Sequence, residues 1–331
     1  MGKMRAVSFD RAGPAAEVLE LGDLAKPVPG PGEVLVRLGY SGINPSDVKL
    51  RAGQRAGGLP YPRIVPHSDG AGEIEALGEG VEARRLGEAV WVYNGQWQRP
   101  FGTAAQWIAL PAEQAVRLPA GVTLQAGACL GIPAQTGCHV IVGAGPLDGR
   151  WVLIQGAGGA VARYALQFAR RAGARIAASV GGPAQAALAK ELGAHAVVQR
   201  GDPEAEAQLL AATGGHGFDL IVDGELGANI DASARLLADN GEICSYGSAL
   251  VREPALPFYP LLFKSARLRF PLIYLLSAPE RLATLAEMTR ALEAGDLDHA
   301  IDQVYPLERT AEAHERVESG QRQGAVLVRI D

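Results

Sequence analysis

WVLIQGAGGAVARYALQFARRAGARIAASV, residues 151–180, decides the fold. A continuous apolar run enters a loop containing Gly156, Gly158 and Gly159. A helical pattern leaves it, with Val161, Ala165, Phe168, Ala169 and Ala172 on one face and Arg163, Arg170 and Arg171 elsewhere. A second apolar run, RIAASV, follows. Strand, glycine turn, helix and strand in this order predict a dinucleotide-binding βαβ unit. Small residues let a pyrophosphate approach the backbone, and the helix start supplies N–H donors and partial positive charge. The spacing is not a strict GxGxxG, because the third position counted from Gly156 is Val161. GxxGxxA describes it better, with Ala162 allowing close helix packing. Gly156, Gly158, Gly159, Ala160 and Val161 are the expected cofactor contacts; the alternative is a tight βα turn without ligand.

The alternation continues downstream. AQAALAKELGA (184–194) reads as a helix. HAVVQ (195–199), FDLIVD (218–223), GEICSYG (241–247) and LRFPLIYLL (268–276) read as strands. Continuous apolar strands alternating with helices predict a parallel sheet covered on both faces. A last helix over 279–294 precedes GAVLVRI, a strand expected to return to the first lobe. Residues 1 to about 120 differ: short β-branched runs such as GEVLVRLGYSGI (32–43), GAGEIEAL (70–77), EAVWVYN (88–94) and AAQWIAL (104–110) are punctuated by Gly and Pro. The expected organisation is α/β: a Rossmann doubly wound parallel sheet over 122–276, and a β-barrel-like domain from 1–121 with 277–331.

Bulk properties narrow the function. The 331 residues carry a net charge of −5, and no Lys/Arg run is long enough to follow a phosphate backbone, which disfavours nucleic acid. Cys129, Cys138 and Cys244 form no CxxC pair, so neither a disulfide framework nor a four-cysteine zinc lobe is expected. MGKMRAVSFD reads as a strand rather than a leader, and no apolar stretch approaches the roughly 18 residues of a membrane span. A cytoplasmic enzyme without membrane partners is expected.

The second strand of the βαβ unit addresses nucleotide choice. An NAD site usually carries an acid about 20 residues after the glycine loop. Here the strand ends Ser179-Val180-Gly181-Gly182, with no acid before Glu191. That favours NADPH, with NADH possible. Ser179 and Gly181 are expected contacts. Arg200 is either a counter-charge for the 2′-phosphate or a solvated loop residue.

PHSDGAG, residues 66–72, places a histidine, a hydroxyl and a carboxylate side by side. With PGPGEVLVRLGYSGINPSDVKLRAG (29–53), ACLGIPAQTG (128–137), the glycine loop, FDLIVD and GEICSYGS (241–248), it resembles the medium-chain dehydrogenase/reductase superfamily, in its zinc-free, zeta-crystallin-like quinone oxidoreductase branch. The resemblance spans nearly the whole chain; order and spacing are specific, each piece alone is not. It implies a GroES-like catalytic domain beside the Rossmann domain, with the cofactor in the cleft. It also implies a homodimer or homotetramer pairing near 267–275.

Zinc-dependent relatives place a ligand cysteine where this chain has Asn44 and His-Glu where it has Ser68-Asp69, so His67 falls one residue early. Asn44, Ser68 and Asp69 are a poor zinc set, and no metal is expected. The resemblance puts Asn44 and Thr136 near the nicotinamide and Tyr246, Gly247 and Ser248 beside its carboxamide. Where the family often has Lys and Tyr at the adenine end, this chain has Gln185 and Arg200.

The implied reaction is hydride transfer from NADPH to a quinone or an α,β-unsaturated carbonyl compound. Negative charge then develops on the carbonyl oxygen and requires a donor. Asn44 is the first candidate, though it also reads as a turn cap in NPSD. Tyr93, in an aromatic loop with Trp97 and Phe101, and His67, as a proton donor or a packing residue, are the others. Tyr40 reads as a strand residue. Phe258 and Tyr259 are candidates for closing the pocket. Ser68 and Asp69 read mainly as turn and strand-entry residues, with Gly70 and Gly72 permitting a close pass by the cofactor. The alternative is an NADPH-binding crystallin-like or redox-sensing protein with little turnover.

Overall fold

The computed structural model describes residues 2–54 and 57–330. The chain divides into two compact units, Met1–Pro133 with Asp298–Asp331, and Ala134–Leu297.

The second unit carries the parallel sheet. Its strands lie in the spatial order Ala196–Gln199, Arg175–Val180, Trp151–Ile154, Phe218–Asp223, Leu237–Ser245, Arg267–Arg269, and every neighbouring pair is parallel. Numbered along this unit the order is 3-2-1-4-5-6, the doubly wound Rossmann arrangement. Its switch point lies between Trp151–Ile154 and Phe218–Asp223. Both faces are covered, so Val152, Leu153, Ile154, Ile221 and Val222 have no exposed surface. The run 268–276 keeps only Arg267–Arg269 as strand; beyond it Pro271 interrupts the ladder, and Ile273–Leu275 forms a 3₁₀ turn.

Helix Ala278–Glu293 starts with a capping box between Ser277 and Glu280 and Pro279 in its first turn. It buries Met288, Ala291 and Leu292 and packs on helix Gln135–Val142. This packing draws the helix into the second unit, so the units part after Leu297 rather than near 277. The first crossing likewise falls after Pro133 rather than 121.

The first unit is built on a seven-stranded sheet centred on the 11-residue strand Glu33–Ile43. Asp69–Leu77, Trp107–Pro111 and the terminal strand Ala325–Arg329 all pair antiparallel with it. The return of GAVLVRI to this sheet is as expected. Val34, Val36, Ile74, Val90, Val92, Ile108, Leu110, Val326 and Val328 fill the core. Gly72 is tied to this crossing: a Cβ there would collide with the Arg37 backbone, and one at Gly70 would crowd Tyr40 O at 3.0 Å. Their small size serves the packing of the sheet.

Candidate active site

In the second unit the glycine loop follows Trp151–Ile154, and helix Ala160–Arg171 starts immediately after it, with Gly159 at its N-cap. Gly156 sits at φ +64°, a conformation that a β-branched residue resists. The turn is sewn to the second strand. Gly156 N donates to Ser179 Oγ at 3.0 Å, Ala157 N to Ser179 O at 2.8 Å, and Ser179 Oγ–H to Gln155 Oε1 at 2.6 Å. Gly156 and Gly159 are exposed. The opening N–H groups of the helix have no carbonyl one turn earlier to receive them. This cradle fits a pyrophosphate.

A cleft of about 450 Å³ adjoins it, lined in part by Gln155, Ser179, Arg200, Asp223 and Tyr246 from the carboxyl ends of several strands and by Asn229 from helix Leu226–Leu236. Past the second strand, Gly181 N donates to Gln185 Oε1 at 2.8 Å. An Arg200 guanidinium nitrogen lies 3.3 Å from where a Gly181 Cβ would stand. Where NAD sites carry an acid, this chain has Val180-Gly181 at the end of the strand, with the Gln185 amide and the Arg200 guanidinium beside it. Tyr246 N donates to Asp223 O at 3.1 Å, Leu226 N to Gly247 O at 3.1 Å, and Gly227 N to Ser248 Oγ at 2.9 Å. These bonds knit Tyr246–Ser248 to the end of the fourth strand. Asp223 was not expected here, although an acid ending the buried run FDLIVD is a legible signal. Burial pushes its pKa up, while bonds from Glu225 N and Asn229 Nδ2 oppose the shift. Thr136 is buried in helix Gln135–Val142.

In the first unit Asn44 does two jobs. It forms the capping box of helix Pro45–Arg51, with its own N–H donating to Asp47 Oδ2 at 2.7 Å. Its side-chain Nδ2 donates to Asp69 Oδ2 at 2.7 Å. Asp69 is fully buried and also accepts from Ile132 N, at 3.0 and 2.9 Å to its two oxygens. Ile132 lies in a π-helical turn, Leu130–Ala134, that contains Pro133. Burial pushes the Asp69 pKa up to about 8, and neighbouring Asp47 adds to the shift; the N–H bonds from Ile132 and Asn44 oppose it. Asp69 does open strand Asp69–Leu77, but it is also the partner of Asn44.

His67 corrects an expectation. It has no exposed surface and sits at φ +78°. Its Nδ1 is 2.8 Å from Ser41 Oγ, and its Nε2 is 2.8 Å from His314 Nε2. Both ring nitrogens are spent inside the protein, so neither can protonate a substrate. Burial lowers its pKa to about 3.

The chain is 30% identical to human quinone oxidoreductase over 323 residues, spanning 96% of this chain and 94% of that protein. It belongs to the quinone oxidoreductase family of the medium-chain dehydrogenases/reductases. The Alcohol dehydrogenase GroES-like domain model matches residues 30–120, and the Zinc-binding dehydrogenase model matches 192–328. Quinone oxidoreductase of Pseudomonas aeruginosa is 28% identical, over 94% of this chain and 95% of its own. Among solved structures, an NAD-dependent alcohol dehydrogenase superimposes with TM-score 0.90 at 29% identity, covering 99% of this chain and 100% of that one. A mycobacterial protein complexed with NADPH gives 0.86 at 26% identity, covering 98% and 100%. As a member of this family the chain is an NAD(P)-binding oxidoreductase with a Rossmann sheet and a GroES-like domain.

Tyr93 turns inward, 5% exposed, with its ring 5.9 Å from that of Trp91; Phe101, at 53% exposure, is the open aromatic of that loop. Tyr40 OH accepts from Gln125 Nε2 at 3.1 Å, as suits a strand residue. Phe258 and Tyr259 are exposed on helix Phe258–Phe263 of the second unit. Among the described residues, no group of three or more His, Cys, Asp or Glu could hold a metal ion, and no helix is long and apolar enough to cross a membrane.

Proposed function

We propose that this protein reduces quinones or related α,β-unsaturated carbonyl compounds with NADPH, without zinc. NADPH, when bound, supplies the hydride. The observation that carries the reading is the Asn44 amide. It stands where zinc-dependent relatives carry a ligand cysteine, and it is a neutral N–H donor of the kind that stabilises charge developing on a carbonyl oxygen. The zinc-free reading is supported by donor chemistry: the Asn44 amide and the Asp69 carboxylate are hydrogen-bonded to each other. NADPH over NADH is supported by the Arg200 guanidinium beside Gly181 and by the absence of an acid from Ser179 to Gly182. Gly156, Gly158, Gly159, Ala160 and Val161 hold the pyrophosphate, and Thr136 and Tyr246–Ser248 flank the nicotinamide. A second copy pairs along Arg267–Arg269, a reading supported by its place at the sheet edge and by exposed Phe263 and Phe270 beside it.

Steady-state NADPH oxidation with 1,4-benzoquinone, 9,10-phenanthrenequinone and 2-cyclohexenone tests the reading, beside metal analysis of the purified protein. Turnover with zinc well below stoichiometric supports it. A protein that binds NADPH yet oxidises it with none of these acceptors is a binding or redox-sensing protein instead.

A further inference from the structure

The direction of a buried hydrogen-bond network singles out Asp69. A backbone carbonyl only accepts, so Thr103 Oγ1 donates to Asp69 O, at 2.6 Å. Thr103 Oγ1 must then accept from Ser41 Oγ–H at 2.7 Å, and Ser41 from His67 Nδ1–H at 2.8 Å. His67 Nε2 is left as the acceptor for His314 Nε2–H. The whole chain points one way, toward Asp69. On the side-chain face, Ile132 N and Asn44 Nδ2 both donate hydrogen bonds to the carboxyl group. Gly131 closes over it: a Cβ there would collide with Oδ1. Asp69 is thus an acceptor held from both ends, and with or without its own proton it keeps an oxygen toward those N–H groups.

The consequence falls on Asn44. An amide carries one acceptor oxygen and two N–H donors, and it can flip between them. Here the NH₂ end faces Asp69 and the oxygen faces the start of the Pro45–Arg51 helix, within the capping box. One N–H is spent on Asp69 and the oxygen on the helix. A single N–H remains, on a residue with 6% of its surface exposed.

Resting on the functional reading above, we propose that Asp69 is a positioning residue that fixes Asn44 as a one-sided hydrogen-bond donor. The site is thereby tuned to substrates that present an acceptor oxygen, a carbonyl, rather than a hydroxyl donor. It matters most for enones, whose reduction puts unshared charge on that oxygen, and less for quinones, whose reduced anion is already stable.

The test measures kcat and KM on 2-cyclohexenone and on 9,10-phenanthrenequinone for wild type, Asp69→Ala and Asp69→Asn. It is paired with NMR of the wild-type Asn44 side-chain amide, with NADP⁺ present, before and after adding 2-cyclohexenone. Asp69→Ala is expected to lose about 100-fold in kcat on the enone but less than about 10-fold on the quinone. Asp69→Asn, which keeps an acceptor oxygen, should hold the enone rate within about 10-fold of wild type. In the spectrum, one Asn44 amide proton should be shifted downfield by Asp69, and only the other should move with the ketone. Equal losses on both substrates overturn the inference. So does an Asn44 amide whose protons both ignore the ketone, a result that needs no variant to fold. Wild type that reduces neither substrate ends the functional reading instead, and the amide spectrum still decides the role of Asp69.

Discussion

The glycine loop at Gly156–Ala160 and the segment Pro66–Gly72 are both glycine-bearing turns beside a strand, yet they are assembled in opposite ways. The loop presents backbone N–H groups, and its anchor lies within the same βαβ unit: Gly156 N donates to Ser179 Oγ, on the next strand. The second segment is made of side chains with distant partners. Asp69 meets Asn44 and Ile132, 25 and 63 residues away, and His67 meets His314, 247 away. Backbone chemistry of the first kind can be read from a short pattern. Side-chain chemistry of the second kind changes meaning with each distant partner.

The comparison breaks most visibly at Gly156. A valine there combines strain at φ +64°, typically about 1–3 kcal/mol, with methyl groups where a phosphate would sit. NADPH binding, followed by nucleotide fluorescence, is expected to weaken by about 100-fold or more while the circular dichroism stays native. Unweakened binding would separate the loop from the cofactor. A smaller effect is expected at Arg200. Replacing it by alanine should raise the NADPH Kd by about 10-fold and leave NADH unchanged, because a charge-assisted bond to the 2′-phosphate is worth about 1.5–3 kcal/mol at most. Equal losses for both nucleotides would return Arg200 to the solvated loop residues.

The Pro66–Gly72 region responds to acid. His67 falls from an unfolded value of 6.5 to about 3 in the folded protein, so its contribution to stability is complete above pH 6.5 and is lost as pH drops toward 3. His314 is lowered in the same direction, by its own burial, His67 and Arg51. A tenfold change in proton affinity between the folded and unfolded chain is worth about 1.36 kcal/mol, so denaturant midpoints should fall steeply across that window. His67→Gly should flatten the fall. It also strands Ser41 and His314, which costs about 1–3 kcal/mol at neutral pH. The smallest expected effect is on the same variant's turnover per folded molecule, which should match wild type from pH 6 to 8: Ser41 Oγ–H can still donate to Thr103, and the bonds to the Asp69 carboxyl group from Asn44 and Ile132 are untouched.

Much of the fold is legible in the sequence. Five of the apolar runs after residue 150 form full strands of one parallel sheet, because burial on both faces demands unbroken hydrophobicity. The sixth, 268–276, reads too long: apolar character persists past Arg269, but Pro271 cannot continue a ladder. The unit boundary is misplaced near 277 because helix Ala278–Glu293 carries no local sign of which neighbour it will bury against. In the site, the glycine loop and the missing acid after Val180 are readable, and Asn44 is singled out by the family resemblance, since NPSD by itself reads as a turn cap. Asp69 reads as a turn residue because nothing near it in sequence announces Ile132. His67 invites a chemical reading because its other half, His314, arrives from the far end of the chain.

One measurement bears most directly on the division of labour between the two regions. Asn44→Ala should keep the wild-type NADPH Kd, since the glycine loop is untouched, apart from a stability loss of about 1 kcal/mol from the missing helix cap. In the same protein, kcat for 2-cyclohexenone reduction should fall about 100-fold, as expected when a donor to a developing oxyanion is removed. Undiminished enone turnover by Asn44→Ala would contradict the account.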